Sequence, residues 1–366
     1  MLRRTHLRID TSALRHNLNL LKKWNGPAFF CPMVKANAYG HGSDLVAHVV
    51  EDNGCSALGV ALVEEGVALR ASGIKTDILT FAPLSMEGAQ VALKNAITPV
   101  LGRFEDLIAL DRARIDGTVK AHLKFNTGMQ RLGFDLGDLT KLKSELKARP
   151  WLSVEGLCTH FTHGEDAALE DGPTRSQLAR FDQMTAGFPG FKHAHKSASL
   201  AVLEGKELQP ALGSRPGIGI YGLPHDGRAL GKDLRPALTW VTELIHLHTV
   251  EKGESASYSG RWTAQRRSVI GVVPMGYGDG YMRALSNKGA MLCRGRRVPV
   301  VGSVCMDYTL LDLTDVGAEL KAGEPIVVLG RQANEEISAA DIAEWAGTIA
   351  YEVVTNISAR IPREAV

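Results

Sequence analysis

The chain has 366 residues, with 42 Lys and Arg against 40 Asp and Glu, a net charge of +2, and 45% hydrophobic and 22% charged residues. This is ordinary globular composition with length for two domains, and so small a positive excess without a compact basic run excludes nucleic acid as an electrostatic partner. Cys31, Cys55, Cys158, Cys293 and Cys305 are scattered with no Cys-x-x-Cys pair, which excludes a disulfide framework and a zinc site, so no metal is expected; no run of about 18 apolar residues could span a membrane, no apolar segment follows Met1-Leu2-Arg3-Arg4, and the expected compartment is the cytoplasm.

The first predicted element is a helix from Thr11 or Ser12, either of which is a plausible N-cap, to about Trp24, with Leu14, Leu18 and Leu21 on one stripe. Apolar runs that read as buried strands follow: Phe29 to Val34, Ala57 to Leu62, Ile78 to Phe81, Thr98 to Leu101, Val119 to Phe125, Val154 to Cys158, a run near Lys192 to His195, and Ile218 to Tyr221. Helical patterns over Glu64 to Ala71, Phe104 to Arg114 and Leu139 to Ala148 separate several of them. Continuous apolar strands alternating with helices mark a parallel sheet covered on both faces, and about eight such units favour a (β/α)8 barrel. Chemistry is then expected at the C-terminal ends of the strands. After about Asp233 the rhythm becomes β-rich, with runs at Leu238 to Val250, Val269 to Val273, Val298 to Val304, Tyr308 to Leu313 and Ile326 to Leu329, and one helix near Ser338 to Ala346. The expected domains are a barrel over 1–232 and a β-rich domain over 233–366.

Five motifs stand at chemically suggestive places. Lys35, in Val34-Lys35-Ala36-Asn37-Ala38-Tyr39-Gly40-His41-Gly42, follows the first apolar run, where a desolvated lysine is a Schiff-base nucleophile; on position alone, an ordinary loop lysine is the commoner explanation. The stretch Lys124 to Gly133 places Arg131 where it could clamp an oxyanion, or where a tight turn simply carries a surface arginine. His160 ends a strand, where most histidines are structural. Ser214-Arg215-Pro216-Gly217-Ile218-Gly219-Ile220-Tyr221-Gly222 offers backbone N–H groups to a phosphate, or is a turn. In the β-rich half stand Tyr258, the Gly276 to Tyr281 loop with Tyr277, Cys305-Met306-Asp307, and Tyr351-Glu352; taken singly, buried tyrosines usually just pack.

In order along the chain, VKANAYGHG, LKFNTGMQRLG, THF, RPGIGIYG, the Ser-Tyr pair ending at Tyr258, GYGDGY with Arg283, GSVCMD and YEVVTNISARIPR resemble the alanine racemase family of pyridoxal 5'-phosphate (PLP) enzymes, from about residue 5 to the C-terminus. The resemblance implies a PLP-binding (β/α)8 barrel followed by a β-rich domain, and a homodimer with shared sites acting on a small amino acid. It implies Lys35 as the Schiff-base lysine. Tyr39, Ser197, the backbone at Gly217 and Ile218, and Tyr351 would surround the phosphate. Arg215 would face the pyridine nitrogen, and His160 would hydrogen-bond toward Arg215 and the catalytic tyrosine. Tyr258 of the partner subunit would be the second base. Arg131 and the backbone of Met306 of the partner subunit would hold the substrate carboxylate, Tyr277 and Asp307 would shape the entrance, and Lys124 could carry a carbamate that orients Arg131.

This chain departs from the family pattern at some places. Asn126 stands where the family often has Asp, which removes a charge near Lys124 and Arg131. His195-Lys196-Ser197-Ala198 replaces the usual Ala-Asn-Ser before Ala, and Ser259 follows Tyr258 where Gly is frequent. The alternatives are a racemase of serine, lysine or another amino acid, a related PLP decarboxylase, and a PLP carrier without turnover. A decarboxylase would carry a glycine-triplet loop and a C-terminal Cys-Asp pair, neither of which is found in a fitting place; a carrier would lack the domain that supplies Tyr258.

Overall fold

A computed structural model of the chain describes residues 4–114, 116–166, 169, 171–188, 191–197, 213–223, 233–317 and 319–366, apart from the side chains at 165, 196 and 197. The boundary expected at 232/233 adjoins residues outside that description.

The first half forms a parallel seven-stranded sheet, in chain order Leu58–Val60, Ile78–Thr80, Ile97–Leu101, Val119–Lys124, Leu152–Cys158, His193–Ser197 and Gly213–Ser214. The eighth member is the segment 30–33, which closes the curl. Its expected strand is reduced to two bridges, Phe30 to Ser214 on one side and Met33 to Gly59 on the other. Pro32 lacks an N–H donor, so the segment cannot sustain a full ladder. Alternate groups still pair outward: Cys31 N donates to Ser214 O at 2.9 Å, and Val34 N to Gly59 O at 2.8 Å. The expected (β/α)8 architecture is therefore what the chain forms, with two corrections. Ile218–Tyr221 is not the last strand but a 3-10 turn ended by left-handed Gly222, and the last strand is Gly213–Ser214. Pro216 stops the ladder just before the apolar run that reads as β.

The first helix, Thr11–Asn25, is capped by Asp10 rather than by Thr11 or Ser12: its carboxylate accepts from Ser12 N and Ala13 N, both at 2.9 Å. Helices Val63–Ala71, Phe104–Ala113 and Leu139–Lys147 fall where their periodicity puts them. Outward-facing strand residues such as Leu58, Ile78, Leu123 and Leu157 pack on these helices as the main core. The barrel interior is a separate small cluster of Phe29, Cys31, Ala57, Leu79, Val100 and Cys158. Val119, Ala121 and Leu123 face the helices, so the alternate residues His122 and Lys124 face inward and the interior becomes polar toward the C-terminal mouth.

The second half is a ten-stranded sheet. Its order runs from His246–Val250 through Ser268–Val273, Thr309–Asp312, Arg296–Val301, Ala290–Cys293, Pro325–Gln332 and Leu238–Glu243 to His6–Ile9 and Arg363–Ala365, with Glu335–Ile337 paired to Pro325–Gln332. The single run expected over Leu238 to Val250 is thus two strands in different parts of the sheet. Both ends of the chain join it: His6–Ile9 pairs antiparallel with Leu238–Glu243 and parallel with Arg363–Ala365. Trp240 and Tyr281, buried edge to face at 6.3 Å, fill its core. The helix Ala339–Ala346 starts from a reciprocal cap, with Asp341 N donating to Ser338 Oγ at 3.1 Å and Ser338 N to Asp341 Oδ2 at 2.7 Å.

Candidate active site

The C-terminal ends of the barrel strands surround a cavity of about 650 Å³. Lys35 enters just beyond the 30–33 segment, Lys124 ends the strand Val119–Lys124, His160 lies two residues past Leu152–Cys158, and Arg215 follows Gly213–Ser214 directly. Arg131, Tyr39, Gly217 and Ile218 complete the barrel side, and Tyr351 leans in from the helix Ala350–Thr355 of the second domain. Among the described residues, four cations line this space and no Asp or Glu does.

Lys35 opens a single turn of left-handed helix. Ala36, Asn37, Ala38 and Tyr39 all have φ between 51 and 53°. L-residues pay about 1–2 kcal/mol each for that conformation. Several hydrogen bonds hold it: Ala36 N donates to Glu65 Oε1 at 2.6 Å, Ala38 N to Val34 O at 3.0 Å, and Ser43 N to Asn37 Oδ1 at 2.8 Å. The other carboxylate oxygen of Glu65 accepts from Ala61 N at 2.8 Å and Leu62 N at 3.1 Å, so one side chain ties the lysine turn to the neighbouring strand end. Gly40, at φ 82°, closes the turn against the second domain: a Cβ there would lie 1.9 Å from Val354 O. Burial lowers the Lys35 pKa, Arg131 and Arg215 lower it further, and Glu65 opposes them. Desolvation and the neighbouring cations favour a neutral, nucleophilic amine, on a residue that lines the cavity.

Arg215 is buried and anchored on four acceptors. Nη1 donates to His195 O at 2.5 Å and His195 Nδ1 at 2.8 Å; Nη2 donates to Thr159 O at 2.5 Å and, more weakly, toward His160 Nδ1 at 3.4 Å. This leaves Nε–H as the donor without a partner among the described residues. His160 is neutral: burial, then Arg215 and Arg131, push its pKa down to about 3. Lys124 is lowered to about 8, first by burial, then by Arg215, Arg131 and Lys35 against the opposing Cys158. Tyr39 is held by an aromatic stack, with ring centroids 5.0 Å from Tyr221 and 6.3 Å from Tyr351, and Tyr221 Oη donates to Met33 O at 2.9 Å. Burial raises the Tyr39 pKa, so its hydroxyl is a neutral donor. That hydroxyl sits 2.3 Å from where a Cβ on Gly217 would be, which explains the glycine.

Asn126 does not touch Lys124. Its amide donates to Gln130 Oε1 at 2.7 Å and Asp135 Oδ1 at 2.8 Å, and its oxygen accepts from Gln130 N at 3.0 Å. The amide thus organises the loop carrying Arg131, and an Asp at 126 would face the Asp135 carboxylate.

Of the residues singled out in sequence, one chain brings together Lys35, Tyr39, Lys124, Arg131, His160, Arg215, Gly217, Ile218 and Tyr351. The side chain of Ser197 lies outside the described residues. Tyr258, Tyr277, Met306 and Asp307 do not line the cavity of their own chain. Tyr258 is 70% exposed and Met306 53%. They lie on loops tied to one another, with Ser303 N donating to Ser257 Oγ at 2.9 Å and Gly278 N to Met306 O at 2.9 Å. Arg360 braces these loops by pairing with buried Asp279 at 2.7 Å and Asp307 at 2.8 Å. Sequence reasoning missed Glu65, whose signal was its place as third residue of a helix. It also missed His195, visible only as an alternating position in a short polar strand. Among the described residues, no three His, Cys, Asp or Glu side chains are grouped to hold a metal ion, and no helix is long and apolar enough to cross a membrane.

His41, His122, His160 and His195 share one property: burial pushes each pKa below the ordinary 6.5, to about 4, about 3, about 3 and well below, respectively. Unfolded, each takes up a proton near pH 6.5; folded, it does not. Their contribution to stability is complete above pH 6.5 and is lost as pH falls from there toward the folded values, at roughly 1 kcal/mol per pH unit for each histidine. The urea midpoint of the cofactor-free protein should therefore drop steeply just below pH 6.5. A midpoint flat from neutral down to about pH 5 would contradict neutral burial of these rings.

Residues 9–225 match the family profile described as alanine racemase, N-terminal domain, and residues 237–365 that of alanine racemase, C-terminal domain. Curated relatives include the alanine racemases of Halothermothrix orenii, 36% identical with 99% of this chain and 97% of that one covered, and Sorangium cellulosum, 38% identical with 99% of each covered. Among solved structures, the alanine racemase of Bacillus anthracis with bound L-Ala-P superposes with a TM-score of 0.92 at 31% identity, covering 100% of this chain and 96% of that one. The enzyme from Clostridium difficile gives 0.93 at 29% identity with the same coverage.

Proposed function

The chain belongs to the alanine racemase family, and from that premise we propose that it interconverts L- and D-alanine with PLP, as a cytoplasmic homodimer whose sites are shared between subunits. The observation that carries this reading is the juxtaposition, at the barrel mouth, of a desolvated lysine, three further cations and a single outstanding Arg215 donor. The donor set fits the cofactor. A cavity of about 650 Å³ with no carboxylate among its described lining residues suits a small aromatic ring bearing a phosphate and an aldehyde, and a small amino acid beside it.

When bound, PLP supplies an electron sink that makes the Cα–H of an attached amino acid acidic. Lys35 Nζ would hold the cofactor and, once the amino acid has taken its place, remove or return the Cα proton on one face. The hydroxyl of Tyr258 of the partner subunit would do so on the other, and proton removal on one face with return on the opposite face inverts the centre. Arg131 and the backbone of Met306 of the partner subunit would orient the substrate carboxylate. Tyr39, Tyr351, Ser197 and the backbone at Gly217 and Ile218 would hold the phosphate. Arg215 would direct Nε–H at the ring nitrogen, and its permanent charge would keep that nitrogen unprotonated. His160 steadies Arg215 as a neutral acceptor. The buried amine of Lys124 has no carboxylate beside it in the cavity; a carbamate formed there with CO2 would supply the anion that fixes Arg131. Tyr277 and Asp307 would border the entrance.

Solvent-deuterium incorporation at Cα, followed by NMR with PLP and a panel of L-amino acids, tests the reading. Exchange with formation of the D-product should occur with alanine. Exchange confined to a larger or basic amino acid would keep the chemistry and overturn the substrate. No exchange despite bound PLP would point to a carrier.

A further inference from the structure

The support of Arg215 extends into the barrel. His195 is fully buried on the strand His193–Ser197, with Nδ1 2.8 Å from Arg215 Nη1 and Nε2 2.6 Å from Nδ1 of His122, itself buried on Val119–Lys124. A guanidinium only donates, so His195 Nδ1 must be an unprotonated acceptor. The proton of the neutral ring is then on Nε2, which donates to His122 Nδ1, and His122 in turn carries its proton on Nε2. One cation thus fixes the direction of every proton in the row Arg215, His195, His122.

The barrel is built around this row. A Cβ on Gly156 would lie 2.4 Å from His122 Nδ1, so glycine makes the room. Phe29 packs on both imidazoles, with centroids at 4.9 and 5.7 Å, and the Phe81 ring lies 5.6 Å from the guanidinium carbon. His195 supplies two of the four acceptors on Arg215, its carbonyl and its ring nitrogen. The carbonyl would be there with any residue; the ring nitrogen is this residue's own contribution, at a position where an alanine leaves Nη1 one acceptor short.

Building on the racemase reading, we propose that His195 is a positioning residue: held in one tautomer by the guanidinium itself, with His122 accepting its Nε2 proton, it uses up the last terminal proton of Arg215 and so leaves Nε–H as the one donor directed at the pyridine nitrogen. His195 touches neither substrate nor cofactor. Without its ring nitrogen, the guanidinium can rotate and offer Nη1 to the ring nitrogen instead, and the hydrogen bond that sets the electron demand of the cofactor loses its fixed geometry.

The experiment has two arms. In cofactor-free protein, the imidazole 15N shifts should show both His195 and His122 as Nε2–H tautomers, and His122→Phe, which leaves the Arg215 contact in place, should keep His195 as Nε2–H while shifting that nitrogen as its acceptor is lost. In protein reconstituted with PLP labelled at the pyridine nitrogen, His195→Ala should shift and broaden that nitrogen's signal. The same variant should lower kcat roughly tenfold, as for one hydrogen bond to a charged group, with KM for alanine little changed. His195→Gln, which keeps an acceptor, should recover most of both effects. A purely structural role would reduce the yield of folded enzyme and leave the pyridine signal of what remains unchanged; that result overturns the proposal, as does an Nδ1–H tautomer at His195. If the wild-type protein neither binds PLP nor racemises any amino acid, the racemase reading fails and the proposal falls with it, while the imidazole shifts still report whether the hydrogen-bonded row exists.

Discussion

Lys35→Ala should lower alanine racemisation in both directions on the order of a thousandfold or more, because in the proposed mechanism one side chain both anchors the cofactor and moves a proton, and a positioned acid–base group alone contributes about 10²–10⁴. The fold should survive. Lys35 is half-buried at the mouth of the cavity, and the strained turn behind it is held by Glu65, Asn37 and Gly40 rather than by the lysine amine. Near-native thermal stability of the cofactor-free variant, with loss of the visible absorbance of bound cofactor, would separate chemistry from folding. A small primary amine added to the variant should restore part of the turnover, since it can reach a cavity of about 650 Å³ and replace the missing Nζ. The restored reaction should retain its dependence on Tyr258. Substantial unassisted racemisation by Lys35→Ala would move the nucleophile elsewhere, and Lys124, the other buried lysine lining the cavity, would be next to test.

How much of this could be read in advance depended on how local the cause was. The barrel was legible because each strand is a short apolar run followed by a periodic helix, and the positions of Lys35, Lys124, His160 and Arg215 followed from the rule that barrel chemistry sits at strand ends. The left-handed turn over Ala36 to Tyr39 was not legible. Nothing in Ala-Asn-Ala-Tyr announces positive φ, and the cause lies elsewhere, in Glu65 and in the second domain packed against Gly40. Ile218–Tyr221 misread as a strand because its residues are apolar and buried; only Pro216 and the left-handed Gly222 turn it into a 3-10 turn. The strand His6–Ile9 was hidden because its partners are far away in sequence, Leu238–Glu243 in the second half and Arg363–Ala365 at the opposite end of the chain. His195 lies in the run near Lys192 to His195, which reads as a buried strand, but a strand position alone does not tell that its side chain meets Arg215 and His122 across the barrel.

In the proposed mechanism Tyr258→Phe removes the hydroxyl that would carry a proton on the face opposite Lys35, and racemisation should fall by about 10²–10⁴ while PLP binding stays near wild type. The structure makes the second expectation sharper than the first. Tyr258 is 70% exposed, shares its surface with exposed Tyr277, Met306 and Tyr308, and lines no part of its own chain's cavity. An amphipathic patch of this kind is normally covered in the assembled protein. If a second copy covers it, the two inactive variants Lys35→Ala and Tyr258→Phe should complement. A mixed dimer then contains one site that combines Lys35 from one subunit with Tyr258 from the other, and one site that lacks both. Random reassociation of equal amounts makes half the dimers mixed, each with one intact site of two, so the mixture should recover about one quarter of wild-type activity. If Tyr258 instead acted within its own chain, every site in the mixed dimer would lack one of the two groups, and mixing would recover nothing. Recovery near one quarter, appearing only after dissociation and reassociation of the subunits, therefore identifies both the partner and the residue it contributes.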